Sequence, residues 1–389
     1  MLAWVNDEDT KRAYDSSDDA YRVFRKMLER GYPPDHWDQL LAEAGAEAQR
    51  LQQFVAAITL QRQPWPTALR RRSTDDALAT IGASCQPPSC MKDALSPMKV
   101  SPTGKTLGAC VEGLDLSVAL SSAQLDAVMQ ALGQYGVLRF PAQALTAVQL
   151  KAFSAQLGDL EINVAGGFQE PGLPEVMVLS NMVENGKPVG LSDAGQGWHT
   201  DMSYSRQIAF ANVLYGIRIP KRYGRTLGNT SFCNMHAAYD DLPEALKTRL
   251  DGMTVLHDFA KFWDMMRLRE GSRRGPLTVA QRQAKPPVSH PIFLTHPLTG
   301  RKVLYANPGY SMRINQLPEA ESKATLEFLF AHQTQAKYRY DHVWSEQDLL
   351  VWEDFGTIHN AVADYGPDEH RLIKRCQVMA SRFFRDGEP

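Results

Sequence analysis

In Gly197-Trp198-His199-Thr200-Asp201, a histidine and a carboxylate stand two residues apart. Side chains alternate along an extended segment, so His199 and Asp201 present their donors to one point. A second histidine would complete a triad of two imidazoles and one carboxylate. On one face of an octahedron that triad leaves three positions open, the arrangement used by non-haem Fe(II) oxygenases. His359, in Asp354-Phe355-Gly356-Thr357-Ile358-His359-Asn360-Ala361, is the candidate. It is expected after an apolar strand, at the start of a turn. The same donors suit zinc, so a metal-dependent hydrolase on a cupin-like barrel stays open at this point. Taken alone, a His-x-Asp pair also fits a polar turn, and His257, His290 and His296 fit surface or satisfied core positions.

Downstream, Arg371-Leu372-Ile373-Lys374-Arg375-Cys376-Gln377-Val378 reads as a strand. Its alternation puts Arg371, Ile373, Arg375 and Gln377 on one face. If that face is interior, each guanidinium requires an anion, because an unpaired buried charge is very costly. The planar fork of arginine suits carboxylate or sulfonate recognition. A dicarboxylate co-substrate would supply one such anion and an acidic substrate another. A solvated edge strand with ordinary surface arginines gives the same pattern.

The elements that must carry these residues begin after Met98. Leu107–Leu116 reads as a strand and turn, Ser122–Tyr135 as a helix capped by Ser121-Ser122, Gly136–Phe140 as a strand, and Thr146–Leu157 as a second helix. Short β-rich runs follow: VMVLSNMV, IAFANVLYGI, KVLYANPGY, LLVWEDF and RLIKRCQVMASRF. A helix from Glu319 to about His332 interrupts them. The fold class expected is mainly β with flanking helices. Residues 1–62 read as a helical N-terminal extension and 63–97, rich in Pro, Ser and Arg, as a linker, leaving 98–389 as the catalytic domain.

Composition narrows the function classes. A net charge of −2 over 389 residues lacks the basic excess of a nucleic-acid binder. No apolar run reaches the roughly 20 residues that cross a bilayer. The N-terminus lacks the layout of a signal peptide, so a cytoplasmic location is the default expectation. The five cysteines, an odd count without repeating spacing, argue against a disulfide framework. Cys85 and Cys90 would need a second pair to form a zinc knuckle, and the sequence offers none.

Together, GWHTDMSY, GNTSFCNMHAAYDDLP, THPLTGRKVLYANPGYSMRI, LPEAESKATLEFLFAH and HNAVADYGPDEHRLIKR resemble the taurine dioxygenase and 2,4-dichlorophenoxyacetate dioxygenase family in order and approximate spacing. The resemblance spans about Met98 to Arg382. It implies a double-stranded β-helix (jelly-roll) core, and members of this family often form dimers or tetramers. It implies His199, Asp201 and His359 as Fe(II) ligands, with 2-oxoglutarate as co-substrate and O2 as oxidant. Arg371 and Thr230 are implied to hold the distal carboxylate of 2-oxoglutarate. Arg375 is implied to point toward the acidic group of the substrate and the inner end of the co-substrate, and Trp198 to line the pocket. The reaction implied is oxidation of a C–H bond in a small anionic substrate, with release of succinate and CO2. A catalytically inactive binding protein is the alternative within the same fold.

The taurine-specific members carry a sulfonate-binding histidine where this chain has Asn163, and an amine-binding asparagine near Gly195. Both differ here, which separates this chain from taurine itself while leaving the metal and co-substrate residues intact. Asn163, Gly195, Trp263 and Tyr310 are the remaining pocket candidates. Residues 1–97 lie outside the family pattern. Their LAWVNDEDTKRAY and PPDHWDQLLAEA resemble the tail of a small ribonuclease-type bacterial toxin. The enzyme proper is then expected to begin near Met91 or Met98, with a helical docking arm as the rival reading.

Overall fold

A computed structural model describes residues 98–162, 167–269 and 274–384. The expected N-terminal helices, the linker, Cys85, Cys90 and Asn163 lie outside the described residues. The chain starts with β1 (Lys99–Pro102) and β2 (Ala109–Glu112), then α1 (Ser122–Tyr135), β3 (Val137–Phe140) and α2 (Ala147–Leu157). Both helices start at reciprocal caps, in which Ser121 pairs with Gln124 and Thr146 with Gln149. Each cap satisfies amides that the first helical turn leaves without partners.

β4 (Gln169–Glu170), β5 (Leu173–Ser180), β6 (Ala209–Arg218) and β7 (Thr230–Asn234) follow, then α3 (Phe259–Arg267) and α4 (Glu319–Gln333). The chain closes with β8 (Arg339–His342), β9 (Leu349–Glu353), β10 (Thr357–Ala361) and β11 (Leu372–Met379). Eight strands form one sheet in the order β1-β2-β3-β9-β6-β11-β5-β4, and a second sheet has the order β8-β7-β10. Of the run KVLYANPGY, strand covers Lys302–Leu304 alone.

Alternation divides the large sheet into two apolar faces. Val213 and Tyr215 of β6, Val351 of β9 and Cys376 and Val378 of β11 pack with Val128 and Leu132 of α1 and Phe153 of α2. Leu214, Trp352 and Ile373, on the opposite face, pack with Phe232 of β7 and with Trp344. Trp352 and Phe232 meet edge to face at 5.3 Å, so this inner core joins the two sheets. Each fully buried aromatic contributes about 1.5–3 kcal/mol.

The strand carrying Arg375 lies between β6 and β5, which removes the edge-strand reading. His359 also differs from expectation, because it lies inside β10 rather than at the start of a turn. The reason is pairing: β10 stays hydrogen-bonded to β7 throughout, with His359 opposite Phe232.

His342 of β8 pairs with Thr230 and is buried against Trp344. Burial, reinforced by the charge of Arg139, pushes its pKa from 6.5 to about 3. Between those values the unfolded chain carries a proton that the folded chain refuses, so stability falls as pH falls through that window. The slope is at most about 1.4 kcal/mol per pH unit for this residue. In urea titrations, His342→Phe is expected to lose stability less steeply than the wild type between pH 6 and pH 4. Equal slopes would assign the acid sensitivity elsewhere.

Candidate metal centre and cavity

The Gly197–Asp201 segment is fixed to β10 by backbone. The His199 amide donates to the His359 carbonyl at 3.1 Å, and the His359 amide donates back at 2.7 Å. Further along β10, the Ala361 amide donates to the Gly195 carbonyl, and the Gly197 amide donates to Asn360 Oδ1. This bridge sets the two imidazole rings 4.2 Å apart. His199 Nε2 lies 3.6 Å from Asp201 Oδ1, and His359 Nε2 lies 3.8 Å from Asp201 Oδ2. One donor atom from each of the three residues falls within 4.8 Å of the others, and all three residues are buried.

Second contacts orient these donors. His199 Nδ1 lies 2.6 Å from the Gly197 carbonyl, which can only accept, so Nδ1 donates there and Nε2 is the nitrogen turned toward Asp201. Burial would push the Asp201 carboxyl up, but Arg375, His199 and His359 together hold it well below the usual carboxylate range. Arg375 Nη1 donates to Asp201 Oδ2 at 3.3 Å and Nη2 to Gln377 Oε1 at 3.3 Å. Burial, with His199 beside it, keeps His359 well below the ordinary histidine range. The set of two imidazoles and one carboxylate fits a divalent transition metal.

A cavity of about 340 Å³ opens onto His199 and Asp201. Its walls include Tyr204, Phe259, Phe262, Trp263 and Tyr310, with Arg375 among the charged groups. Phe262 lies 4.7 Å from the His199 ring. Gly195, Trp263 and Tyr310 also line this cavity. Trp198 does not, and that expectation is corrected. It packs against the outer core beneath the Arg339 guanidinium, because neighbours in an extended segment face opposite ways.

Arg371 and Thr230 lie outside this cavity's lining. Arg371 is 7% exposed, its Nε has no hydrogen-bond partner, and its guanidinium carbon lies 5.9 Å from the Tyr365 ring. Burial lowers its pKa, and Tyr365 offsets part of that. A β-carbon at Gly228, where φ is +71°, would come within 3.1 Å of Arg371 Nε. Two residues on, Thr230 Oγ1 accepts from Trp344 Nε1 at 3.1 Å. β11 keeps its register with β5 from Arg375 to Leu372, and the irregularity beside Leu372 and Ile373 lies in β6.

Sequence reasoning missed Asn212, whose amide donates to Asp201 Oδ2 at 3.0 Å. Its signal was a lone amide inside the apolar run IAFANVLYGI. It also missed Gly309, where a β-carbon would fall 2.6 Å from that of His199.

The sequence model described as "Taurine catabolism dioxygenase TauD, TfdA family" matches residues 99–377. The chain belongs to this family. Members are 2-oxoglutarate-dependent non-haem iron oxygenases, and the chain is an enzyme of that class, which sets aside the hydrolase reading. An alpha-ketoglutarate-dependent 2,4-dichlorophenoxyacetate dioxygenase of Burkholderia sp. (strain RASC) is 33% identical over 287 residues, covering 70% of this chain and 91% of the relative. Pentalenolactone F synthase of Streptomyces avermitilis is 30% identical, covering 71% and 92%. A crystal structure of AAD-2 in complex with Mn(II) and N-oxalylglycine superposes with a TM-score of 0.61 at 25% identity, covering 73% of this chain and 98% of that one. Residues 1–45 separately match the description "Toxin with endonuclease activity, of toxin-antitoxin system". No helix among the described residues of this dioxygenase is long and apolar enough to cross a membrane.

Replacing His199 or Asp201 of the dioxygenase by Ala is expected to abolish tight Mn(II) binding in calorimetric titration while the far-UV circular dichroism stays that of the parent. Full Mn(II) affinity in either variant would remove that residue from the centre.

Proposed function

We propose that the chain oxidises a C–H bond of a small anionic substrate, using Fe(II), 2-oxoglutarate and O2, with release of succinate and CO2. His199, Asp201 and His359 hold the iron, and the two sheets form the double-stranded β-helix of the family. The observation that carries this reading is the convergence of those three buried donors on one point. Bound there, the iron and co-substrate supply the oxidising chemistry.

The protein's own part is geometry and charge. Arg371, buried and with no carboxylate paired to it among the described residues, is suited to the distal carboxylate of 2-oxoglutarate, with the hydroxyl of Thr230, two residues beyond the Gly228 that packs against Arg371, as a second donor. A guanidinium this buried needs an anion, and a dicarboxylate supplies one. N-oxalylglycine, seen in the related AAD-2 structure, has the carbon skeleton of 2-oxoglutarate with NH in place of one CH2. Arg375 faces the cavity from β11 and offers the cation for an acidic substrate group. Trp263 and Tyr310 flank the space such a substrate would fill, and the aromatic walls exclude water from it. Asp201 occupies the ligand position that a halide would need, which favours hydroxylation or desaturation over halogenation.

Loading the metal-free protein anaerobically with Fe(II) and 2-oxoglutarate is expected to produce a weak visible charge-transfer band. Iron bound without that band would refute the co-substrate assignment. Arg371→Ala is expected to weaken 2-oxoglutarate binding by about 2–5 kcal/mol without changing Mn(II) affinity. An unchanged co-substrate affinity would take that role away from Arg371.

A further inference from the structure

Asn212 lies on β6, paired across the ladder with Trp352 of β9 and Gln377 of β11. It is fully buried among apolar neighbours along the strand. A buried amide is costly unless its hydrogens are used. Here its two hydrogens bridge two carboxyl groups: Nδ2 lies 3.0 Å from Asp201 Oδ2 and 2.9 Å from Asp354 Oδ2. Asn212 Oδ1 has no partner. The reverse amide orientation would set that oxygen against the Asp201 carboxylate, so the donor side is the one that faces it.

Asp201 Oδ2 thus accepts from both Asn212 and Arg375, at 3.0 and 3.3 Å. Oδ1 accepts from neither of these and lies 3.6 Å from His199 Nε2, while Oδ2 lies 3.8 Å from His359 Nε2. A cation is drawn to the oxygen whose lone pairs are uncommitted. An oxygen that already accepts two hydrogen bonds has less lone-pair density to offer, which favours binding through the other. That matters because chelation by both oxygens would consume one of the three positions a facial triad leaves open. Of the two donors on Oδ2, Arg375 lines the cavity and also reaches Gln377, whereas Asn212 is fully enclosed and anchored by Asp354.

We propose that Asn212 is a positioning residue of the metal centre, holding Asp201 by Oδ2 so that Oδ1 alone is presented to the metal. The inference rests on the reading that His199, Asp201 and His359 hold the metal. It assigns to Asn212 both affinity and coordination mode, and it gives the carboxyl group of Asp354 the task of orienting the amide.

The test uses the full chain and Mn(II). Asn212→Leu keeps most of the volume and removes both donors. It is expected to bind Mn(II) about 10–100-fold more weakly than the wild type, while the metal-free proteins melt alike. Infrared difference spectra of protein labelled with 13C-aspartate provide a measurement on the wild type itself. A wide separation of the Asp201 carboxylate stretches on adding Mn(II), absent from Asp201→Ala, marks binding through one oxygen. A narrow separation marks chelation and would overturn the proposal even if Asn212→Leu failed to fold. Mn(II) affinity within about twofold of wild type in a folded Asn212→Leu would overturn the role of Asn212 alone. A wild type that binds no Mn(II) would overturn the reading of the centre itself, and this inference with it.

Discussion

The reciprocal backbone pair between His199 and His359 is the contact on which the rest of the site depends. Two hydrogen bonds join a short segment to a strand more than 150 residues away in sequence, and they set both imidazoles at a fixed spacing. Loop-borne ligands would have to be ordered by the metal at an entropic cost. Here sheet pairing has met that cost before any ion arrives. The contact requires β10 to stay in register with β7, and that register is held by Phe232 packed between Trp352 and the His359 ring.

Behind the donors lies a polar layer that an all-apolar core would not need. The Thr200 hydroxyl donates to the Asp354 carbonyl at 2.7 Å. Ser203 Oγ accepts from Asn307 Nδ2 at 3.0 Å and lies 3.2 Å from His257 Nδ1. Residues 200 and 203 bracket Asp201, so the ligand is clamped on both sides along the chain as well as by its own carboxylate contacts. Met202, between them, has a φ of +56°, an uncommon conformation for a residue with a β-carbon. Such strain persists where surrounding contacts over-determine the backbone, and here they are the hydrogen bonds of its neighbours.

Much of this was legible in the sequence, because local rules determine it. The Ser-x-x-Gln and Thr-x-x-Gln caps mark where α1 and α2 begin, and alternation correctly turned Arg375 and Gln377 to one face. The same alternation rule, applied to Trp198, would have turned it away from the pocket. The family resemblance pointed to the pocket instead, and the extended backbone decided the matter. His359 looked like a turn residue because glycine and threonine precede it, but its strand is defined by a partner far away in sequence. Asn212 and Gly309 matter through contacts with residues distant in the chain, and no local period reports such contacts.

The missing β-carbon at Gly309 has a consequence for how this pocket can vary. Because the backbone of the Asn307–Tyr310 turn rests directly on His199, the gap between the metal ligands and the Phe262–Tyr310 wall is set by main chain rather than by side-chain size. Changing the aromatic residues alters the volume of the pocket while that spacing stays put. Any side chain at 309 would instead move the wall and the ligand apart together. The ceiling of the pocket is therefore open to diversification, and its floor is rigidly gauged.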